Sequence, residues 1–499
     1  MMSGCTQHHV ALGQGKDIDD VHLYAATFPI VGSVSERFIS YNIEMLELTG
    51  GRFWKPYGSE PSEKPDLFEY RPPINLENSR LRASARGLAP AYVRYSGTWA
   101  NATVLAKDDQ QSPSAPEGYD GVLTREQWRR AVEFARVSDA EIVTSMPTSV
   151  GSRNADGIWR PDDAERLFAY TSSLGGRIAA TEFANEPNLI GGTKPPPGYD
   201  AAAYRRDFGI FATWVRSRSP DTLVLGPGAF ELGQGSAFPP FIKKLPTSEV
   251  ASAGASRPDV VSFHFYGALS QRCNGTKDID RTSDTWLSKI DTAIADTRHV
   301  GDVINPSAPL WLTETGETAC GGNPDAKTFA DTFRYVDQLA RSALQGVQVV
   351  MHNTLAASDY ALLDDRSFLP RPNYWAAYLW KRTMSDRVLD SRRAGITSDM
   401  RIYAHCQRGV SGGVTILAIN PDPAASRTLR VKGRADVFSL TQVENRPGNA
   451  ALNGKVLQLG DGDSLPPLIA RQQTDAITVP RASVNFIMVP SAGNPSCLF

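Results

Sequence analysis

The stretch Thr181-Glu182-Phe183-Ala184-Asn185-Glu186-Pro187-Asn188 decides how the rest of the chain is interpreted. It follows a short apolar run, so a β-strand is expected to end here. The Asn-Glu-Pro triplet halts regular structure, because proline has no amide hydrogen to donate. This places the Glu186 carboxylate at a strand tip. A second stretch, Leu310-Trp311-Leu312-Thr313-Glu314-Thr315-Gly316-Glu317, repeats the arrangement with Glu314.

Short apolar segments alternate with amphipathic helical patterns over most of the chain. The eight predicted strands are 38–45, 91–96, 141–146, 179–184, 222–226, 260–265, 310–313 and 347–352. The clearest helical patterns are 125–137, which starts with a Thr124/Gln127 capping box, 162–173, 201–218, 285–299 and 327–344. This α/β pattern predicts a (β/α)8 TIM barrel, in which catalytic residues lie at the C-terminal strand ends. An open doubly wound sheet is the alternative, but no G-x-G-x-x-G motif follows the first strand.

After about residue 385 the helical pattern stops, and short strands separated by turn residues follow. The predicted strands are 401–406, 413–420, 428–431, 437–443, 455–458, 476–479 and 483–489. They predict a second, smaller antiparallel β-sandwich domain. We expect a catalytic barrel at 33–385, a discontinuous sandwich at 18–32 plus 386–499, and disorder at 1–17. The G-x-S-x-G match at 409–413 lies between two predicted strands, so we interpret it as a hairpin turn.

Charge and hydropathy exclude several classes of protein. The net charge of −2 gives no global field that would attract nucleic acid or an anionic membrane. No run of about 18 apolar residues is present, so no membrane span is expected. Met2-Ser3-Gly4-Cys5 is similar to the end of a lipoprotein cleavage site. We expect a secreted or periplasmic protein, with lipid anchoring or an ordinary chain start as the alternatives for these four residues.

The five cysteines contain no C-x-x-C pair, which argues against a zinc ribbon or a thioredoxin-type site. A disulfide between Cys406 and Cys497 would tie down the C-terminal end of the chain. Cys273 and Cys320 both follow predicted strand ends, and whether they also pair is left open. Because no H-E-x-x-H motif or P-loop occurs, we expect no metal and no cofactor.

Two strand-end glutamates point to paired carboxyl chemistry. Retaining glycoside hydrolysis needs two carboxyl groups roughly 5–5.5 Å apart, one as proton donor and one as nucleophile. Like charge at that distance raises the pKa of one of them. A lone glutamate is usually a solvated loop residue, and Glu182 and Glu317 are local competitors. Because Glu182 lies within its strand and Glu317 lies further out on its loop, we favour Glu186 and Glu314.

Neighbouring residues have both site and ordinary interpretations. Asn185 is placed to bind a substrate hydroxyl, but asparagine is also common in turns. His264 and Tyr266 stand at the tip of the sixth strand, where a histidine is either a site residue or a satisfied core residue. The Gly321-Gly322 pair would present backbone amides to an anion, or would simply form a loop.

Several motifs together resemble the heparanase family, glycoside hydrolase family 79, over nearly the whole chain. They are AYVRYSGT at 91–98, FANEPN at 183–188, WLTET at 311–315, SDY at 358–360, PNYW at 372–375, RIYAHC at 401–406, LPPL at 465–468, and Cys497. The resemblance implies a retaining barrel with catalytic glutamates on strands four and seven. It makes Glu186 the acid/base and Glu314 the nucleophile, and it supports the Cys406–Cys497 pairing.

The resemblance also implies a glucuronic acid subsite. Thr98, Asn185 and Tyr360 would line it, and the amides of Gly321 and Gly322, with Tyr360, would hold the sugar carboxylate. Glu44 matches a family aspartate at the end of the first strand but is one methylene longer. His264 and Tyr266 match strand-six residues near the nucleophile.

The implied activity is that of a monomeric endo-β-glucuronidase of the heparanase type, acting on heparan sulfate through a covalent intermediate. An exo-acting β-glucuronidase and a carbohydrate-binding protein without catalysis are the alternatives. Two departures from the family pattern matter. The loop at 101–122 is short where the animal enzyme carries an excised linker, so we expect activity without processing. The family's basic heparin-binding clusters are not reproduced, for example at 230–235, which argues against strong dependence on sulfation.

Overall fold

The computed structural model describes residues 21–58, 67–110, 114–190, 195–233, 243–251, 256–275, 278–392 and 400–498. The segment predicted to be disordered, 1–17, lies outside the described residues, and so do the Met2–Cys5 stretch and residues 18–20 of the proposed sandwich segment. Residues 111–113 of the short loop and residues 234 and 235 also lie outside them.

Eight parallel strands close into a barrel, which confirms the predicted fold class. In chain order the barrel strands are Ile39–Glu44, Ala91–Ser96, Ala140–Ser145, Ile178–Glu182, Leu223–Leu232, Val260–Tyr266, Leu310–Thr315 and Val347–His352. The first strand pairs with the second and with the eighth, which completes the ring. Side chains at the C-terminal ends of these strands therefore meet at one mouth.

Helices surround the barrel. The α-helices are Met45–Thr49, Ser79–Gly87, Arg125–Val137, Asp162–Ser173, Ala201–Arg218, Thr247–Val250, Asp284–Leu287, Lys289–Ile304, Ala330–Leu344 and Pro372–Thr383. Short 3-10 turns are Ala25–Thr27, Thr98–Ala102, Val150–Ser152, Gln271–Cys273, Pro324–Lys327, Asp461–Asp463 and Pro495–Cys497. The predicted capping box is present: Gln127 N donates to Thr124 Oγ1 at 3.2 Å, and Thr124 N donates to Gln127 Oε1 at 2.8 Å.

Three barrel elements differ from the sequence prediction. The fifth strand continues to Leu232 instead of ending at Gly226, because a register shift after Pro227 lets pairing with the sixth strand resume beyond the proline. The predicted helix 285–299 is two helices, the first ending at Leu287. The predicted helix 327–344 begins at Ala330, because a separate 3-10 turn precedes it.

A ten-stranded sheet forms the second structural unit. Its strands are Val21–Leu23, Ile30–Ser33, Met384–Leu389, Arg401–Gln407, Val414–Asn420, Arg427–Val443, Arg446–Leu452, Lys455–Val456, Arg471–Val479 and Ser483–Val489. The prediction of two strands at 428–431 and 437–443 is wrong, because one strand spans both. This strand pairs with Arg471–Val479 on both sides of a register shift between Val431 and Arg434, and it pairs with Ser483–Val489 further along. Val21–Leu23 pairs in parallel, so the sheet is not wholly antiparallel.

The sheet folds over itself and also packs on the barrel. Along Arg401–Gln407, Ile402 lies in an apolar cluster with Leu429 and Val431, whereas Tyr403 lies in the cluster of the barrel. This alternation follows from the two-residue period of a strand. Ile30–Ser33 pairs with Met384–Leu389, so these two strands cross the boundaries that we place near residues 33 and 385. That division stays a prediction.

Three further features bear on the sequence predictions. Cys406 is disulfide-bonded to Cys497, and Cys273 to Cys320. Strands Arg401–Gln407 and Val414–Asn420, on either side of the G-x-S-x-G match, pair in antiparallel fashion, as expected for a hairpin. In the described part of the chain, no helix has the length and apolarity needed to cross a membrane.

Candidate active site

Glu186 and Glu314 lie at the same barrel mouth. Glu186 follows the fourth strand in a tight turn, with φ of 49° and a hydrogen bond from Leu189 N to its carbonyl at 2.9 Å. Glu314 lies near the end of the seventh strand. Their exposed fractions are 7% and 6%. One carboxylate oxygen of each, with a ring nitrogen of His264, lies within 4.8 Å of the others.

Arg94, in the second barrel strand, is the charged centre of the site. Its Nη1 donates to Glu314 Oε2 at 3.0 Å, and its Nη2 donates to Glu182 Oε2 and to Asn185 Oδ1, both at 2.8 Å. The side chain is 1% exposed, so its charge needs these partners. Glu182, one of the two competing glutamates, is thus the ion-pair partner of Arg94.

The other competitor, Glu317, is held away from the pair. Its Oε1 accepts from Arg281 Nη2 at 2.7 Å, and its Oε2 accepts from Asn323 N at 2.9 Å. Both of its oxygens are therefore engaged in the loop that follows the seventh strand.

Glu314 is surrounded by donors. Tyr266 Oη donates to its Oε1 at 2.8 Å, while Arg94 donates to its Oε2. Burial raises the pKa of Glu314, whereas Arg94 and the hydrogen bonds from Arg94 and Tyr266 lower it. The pKa of Glu314 stays raised because burial is the larger effect, but a guanidinium can only donate, so these contacts favour ionisation of Glu314 over ionisation of Glu186.

Glu186 has a different environment. Its hydrogen-bond partner in the described part of the chain is His264, whose Nδ1 lies 3.0 Å from Oε1. Burial, followed by the negative charge of Glu314, raises the pKa of Glu186 well above its usual range. When the pair carries one proton, these effects favour Glu186 as the protonated acid and Glu314 as the carboxylate.

Glu44 is linked to Glu314 through Asn353, whose Nδ2 lies near one carboxylate oxygen of each. Its Oε1 accepts from Asn353 Nδ2 at 3.1 Å, and its Oε2 is buried without a hydrogen-bond partner among the described residues. Burial and the charge of Glu314 raise the pKa of Glu44 well above its usual range. Gly97 is required beside it, because a Cβ there would lie 1.5 Å from Glu44 Oε2.

Gly321 and Gly322, whose amides are predicted to hold the sugar carboxylate, form a turn that already uses one of these two amides. Gly321 and Gly322 have φ of 78° and 84°, and Tyr360 packs against Gly322. The Gly322 amide, however, donates to the Thr318 carbonyl at 3.2 Å, so the turn itself uses it. The Gly321 carbonyl accepts from Asp359 N at 3.1 Å, which fixes the turn against the loop after the eighth strand.

Thr98 and Asn185 occupy different surroundings. Thr98 is half-buried directly after Gly97, and within the described residues it has no hydrogen bond to Glu186 or Glu314. Asn185 is fixed on two sides, because its backbone exchanges hydrogen bonds of 2.9 Å with the Asn101 side chain while its Oδ1 accepts from Arg94.

Sequence reasoning missed two residues of the site. Arg94 lies in the middle of a buried strand. Because a buried arginine requires charged or polar partners, its position in the sequence already indicates a buried polar cluster. Asn353 directly follows the eighth strand, where the strand-end rule also applies. Its Nδ2 lies 3.0 Å from Tyr266 Oη, 3.3 Å from Tyr360 Oη and 3.5 Å from Glu314 Oε1.

The arrangement suits proton transfer better than metal binding. Among the described residues, the group Glu186, His264 and Glu314 has the donor atoms of a metal site. Arg94 nitrogens, however, lie 3.0 Å from Glu314 Oε2 and 3.2 Å from His264 Nε2. A cation bound to those atoms would meet the positive charge of the guanidinium, so these residues do not fit a metal ion.

The chain is similar to known proteins over most of its length. The chain is 26% identical to the heparanase of Mus musculus, over 97% of this chain and 95% of that protein. It is 23% identical to the baicalin-β-D-glucuronidase of Scutellaria baicalensis, over 88% of each. The solved 4-O-α-L-rhamnosyl-β-D-glucuronidase of Fusarium oxysporum shares the fold, with a TM-score of 0.60, 14% identity, and coverage of 93% of this chain and 100% of that one. Residues 73–340, more than half of the chain, match the model of the glycosyl hydrolase family 79 N-terminal domain, so this chain is a glycoside hydrolase that belongs to family 79.

Proposed function

We propose that the chain is a retaining endo-β-glucuronidase of the heparanase type, acting on heparan sulfate or a related glycan that contains glucuronic acid. The observation that carries the proposal is the asymmetry of the carboxyl pair. Glu314 accepts hydrogen bonds from Arg94 and Tyr266, whereas the side chain of Glu186 has His264 as its one hydrogen-bond partner among the described residues. One oxygen of each carboxyl group lies within 4.8 Å of the other, which supports the close spacing of roughly 5–5.5 Å between the carboxyl groups of retaining enzymes.

In the first step Glu314 attacks the anomeric carbon while Glu186 donates its proton to the glycosidic oxygen. The bond to the leaving group breaks, and the departing sugar carries the proton away as a hydroxyl. In the second step the Glu186 carboxylate removes a proton from water, which attacks the same carbon and releases Glu314. Two inversions at the anomeric carbon give net retention.

The surroundings of the Gly321 turn support a negatively charged sugar. Arg272 Nη2 lies 2.9 Å and Lys327 Nζ 3.2 Å from Asp359, whose amide binds the Gly321 carbonyl. Two positive side chains therefore contact the one negative side chain of Asp359, and these three groups carry a net positive charge beside the turn. We infer that the Gly321 amide and Tyr360 bind the glucuronate carboxylate there, with the Gly322 amide joining only if it leaves Thr318. Thr98, Asn185 and Glu44 would contact sugar hydroxyls.

Endo action is supported by the heparanases, which align over nearly the full chain. The relative named as a baicalin-β-D-glucuronidase supports β-glucuronidase activity, and exo-acting release of terminal glucuronic acid is the second candidate. The two disulfide bonds support a secreted or periplasmic location, and we propose a monomer. Digestion of a defined heparan sulfate oligosaccharide, followed by product mapping, separates the candidates. Internal fragments are expected, and free glucuronic acid as the sole product would contradict endo action.

Catalysis itself is tested with two variants. Glu314→Gln and Glu186→Gln should each lower kcat on the natural glycan by at least about 1,000-fold, because each removes one of the two required carboxyl groups. A covalent glucuronide probe should label Glu314. Near-normal turnover in either variant, or labelling of another residue, would leave a carbohydrate-binding protein or a different mechanism as the better interpretation.

A further inference from the structure

His264 lies between the two carboxyl groups and Arg94. Its side chain is fully buried at the tip of the sixth barrel strand. Its Nδ1 is 3.0 Å from Glu186 Oε1 and 3.6 Å from Glu314 Oε2, and its Nε2 is 3.2 Å from Arg94 Nη2. One ring nitrogen thus faces oxygen acceptors, and the other faces a group that can only donate.

This geometry determines the protonation of the ring. An Nε2–H would point at a guanidinium nitrogen that has no lone pair to accept it. Nε2 must therefore be the unprotonated nitrogen, and the ring proton must be on Nδ1, where it reaches Glu186 Oε1. The charged imidazolium is disfavoured for the same reason, and burial together with Arg94 lowers the pKa of His264 well below its usual value.

We propose that Arg94 locks His264 in the neutral Nδ1–H tautomer, and that this tautomer places the catalytic proton of Glu186 on Oε2. A carboxylic acid that accepts a hydrogen bond at one oxygen does so through its carbonyl oxygen, so the acidic hydrogen is on the other. Oε2 has no hydrogen bond from the described residues, and 10% of the Glu186 side chain is accessible to solvent. His264 is thus a positioning residue for the acid/base.

The charge state of the ring matters as much as its orientation. A neutral ring at 3.0 Å directs the acid without adding a positive charge, which would lower the pKa of Glu186 and remove its proton. The charged groups that face His264 come from three strands: Arg94 from the second, Glu186 after the fourth, and Glu314 in the seventh. Among the described residues, Arg94 is the group in contact with Nε2. Both Nη2 hydrogens already bind Glu182 and Asn185, so Arg94 sets the tautomer by excluding a hydrogen on Nε2.

The tautomer is observable without any substrate. The chain has seven histidines, so 15N-histidine labelling with the His264→Asn variant as assignment control isolates one ring. We expect a protonated Nδ1 and an unprotonated Nε2, unchanged between about pH 5 and 8. An Nε2–H tautomer, or an imidazolium in this range, would overturn the proposal. This result does not depend on the proposed glucuronidase activity.

The positioning role is read from leaving-group dependence, which rests on the proposed function. His264→Phe should lower kcat/KM at least about 100-fold for aryl β-glucuronides with poor leaving groups, which need acid assistance. The loss for a dinitrophenyl glucuronide should be at least tenfold smaller. His264→Asn retains an N–H near the Nδ1 position and should recover part of the loss.

Each outcome has a separate meaning. Equal losses on all leaving groups, with a normal thermal melt, would show a role in binding or in structure and would sink the positioning role. If the wild type hydrolyses no β-glucuronide while the Nδ1–H tautomer is observed, the proposed function fails and the Arg94 lock stands.

Discussion

Tyr266 donates a hydrogen bond from its hydroxyl to Glu314 Oε1 at 2.8 Å. This bond lowers the pKa of Glu314, in opposition to the effect of burial. Tyr266→Phe should therefore raise that pKa and move the acid limb of the kcat/KM profile to higher pH. A hydrogen bond to a charged group contributes about 1.5–3 kcal/mol, so kcat/KM should fall roughly 10- to 100-fold.

The matched control is Tyr170→Phe, since that hydroxyl donates to the Arg125 carbonyl on the outer helices. Its pH profile should equal that of the wild type. An unchanged acid limb in Tyr266→Phe would mean that Glu314 does not set this limb.

Glu182 offers a test of the buried ion pair. Its negative charge is one of the influences that raise the pKa values of Glu186 and Glu314. Glu182→Gln leaves the Arg94 charge less compensated, so both pKa values should fall and the basic limb of the pH profile should move to lower pH. The thermal melt should fall as well, because the variant breaks a buried pair. A basic limb at higher pH would contradict this electrostatic account.

A feature of this site can be predicted from the sequence when it depends on neighbouring residues, and not when it depends on residues far apart in the chain. The barrel and the two glutamates follow from short apolar strands and from their ends, which are local signals. The partners of Arg94 come from strands four and seven, so they are defined only once the barrel closes. The use of the Gly322 amide by Thr318 likewise depends on the loop conformation and not on the Gly-Gly pair itself.

The same limit explains the errors in the fold prediction. Pro227 stopped the fifth predicted strand, although pairing resumes beyond it. Lys432, Gly433 and Arg434 interrupt the apolar pattern of Arg427–Val443, so the sequence predicts two strands there. Pairing in the sheet shows that a single strand continues through a register shift.

The close approach of Gly97 to the Glu44 carboxyl can be tested by substituting the glycine. A Cβ at residue 97 would lie 1.5 Å from Glu44 Oε2, and φ at this residue is 93°. Gly97→Ala should displace the Glu44 carboxyl, raise KM for the glycan at least about tenfold, and lower the melting temperature. Gly157→Ala is the control, because its φ is 72° but no atom of the described residues lies within 4 Å of the added Cβ. Equal effects in the two variants would assign the loss to backbone strain alone.

The two disulfides should have separable effects. Cys273–Cys320 joins the loops after strands six and seven, and Cys320 directly precedes the Gly321 turn. Removing it with Cys273→Ser and Cys320→Ser should raise KM for a glucuronide several-fold, because the turn is held less firmly. Kinetics with glucuronide substrates measure this, and an unchanged KM would show that the disulfide does not order the turn.

Cys406–Cys497 is the matched control for that experiment. It closes a loop with a sequence separation of 91, far from the barrel mouth along the chain, and both cysteines are buried in the sheet unit. The corresponding double serine variant should lose about 2–5 kcal/mol of stability while KM stays close to that of the wild type.

The titration of Glu47 should make the stability of the folded state depend on pH, independently of catalysis. Its Oε2 accepts from Glu44 N at 2.8 Å, and burial raises its pKa to about 8. An unfolded glutamate has a pKa of about 4.3, so between these values the unfolded chain loses a proton that the folded chain keeps. The folded state therefore loses stability as pH rises through this window. Glu47→Gln keeps an acceptor but cannot ionise, so its melting temperature should gain on the wild type from pH 5 to pH 8 and then level off.

Glu126→Gln is the control for this titration. Glu126 is exposed, and its hydrogen bond with Arg129 lowers its pKa to about 2, so its ionisation is complete below pH 5. The difference in melting temperature between this variant and the wild type should stay constant from pH 5 to pH 8. A constant difference for Glu47→Gln over the same range would show that Glu47 is already ionised in the folded protein, with Arg71 rather than burial controlling its charge.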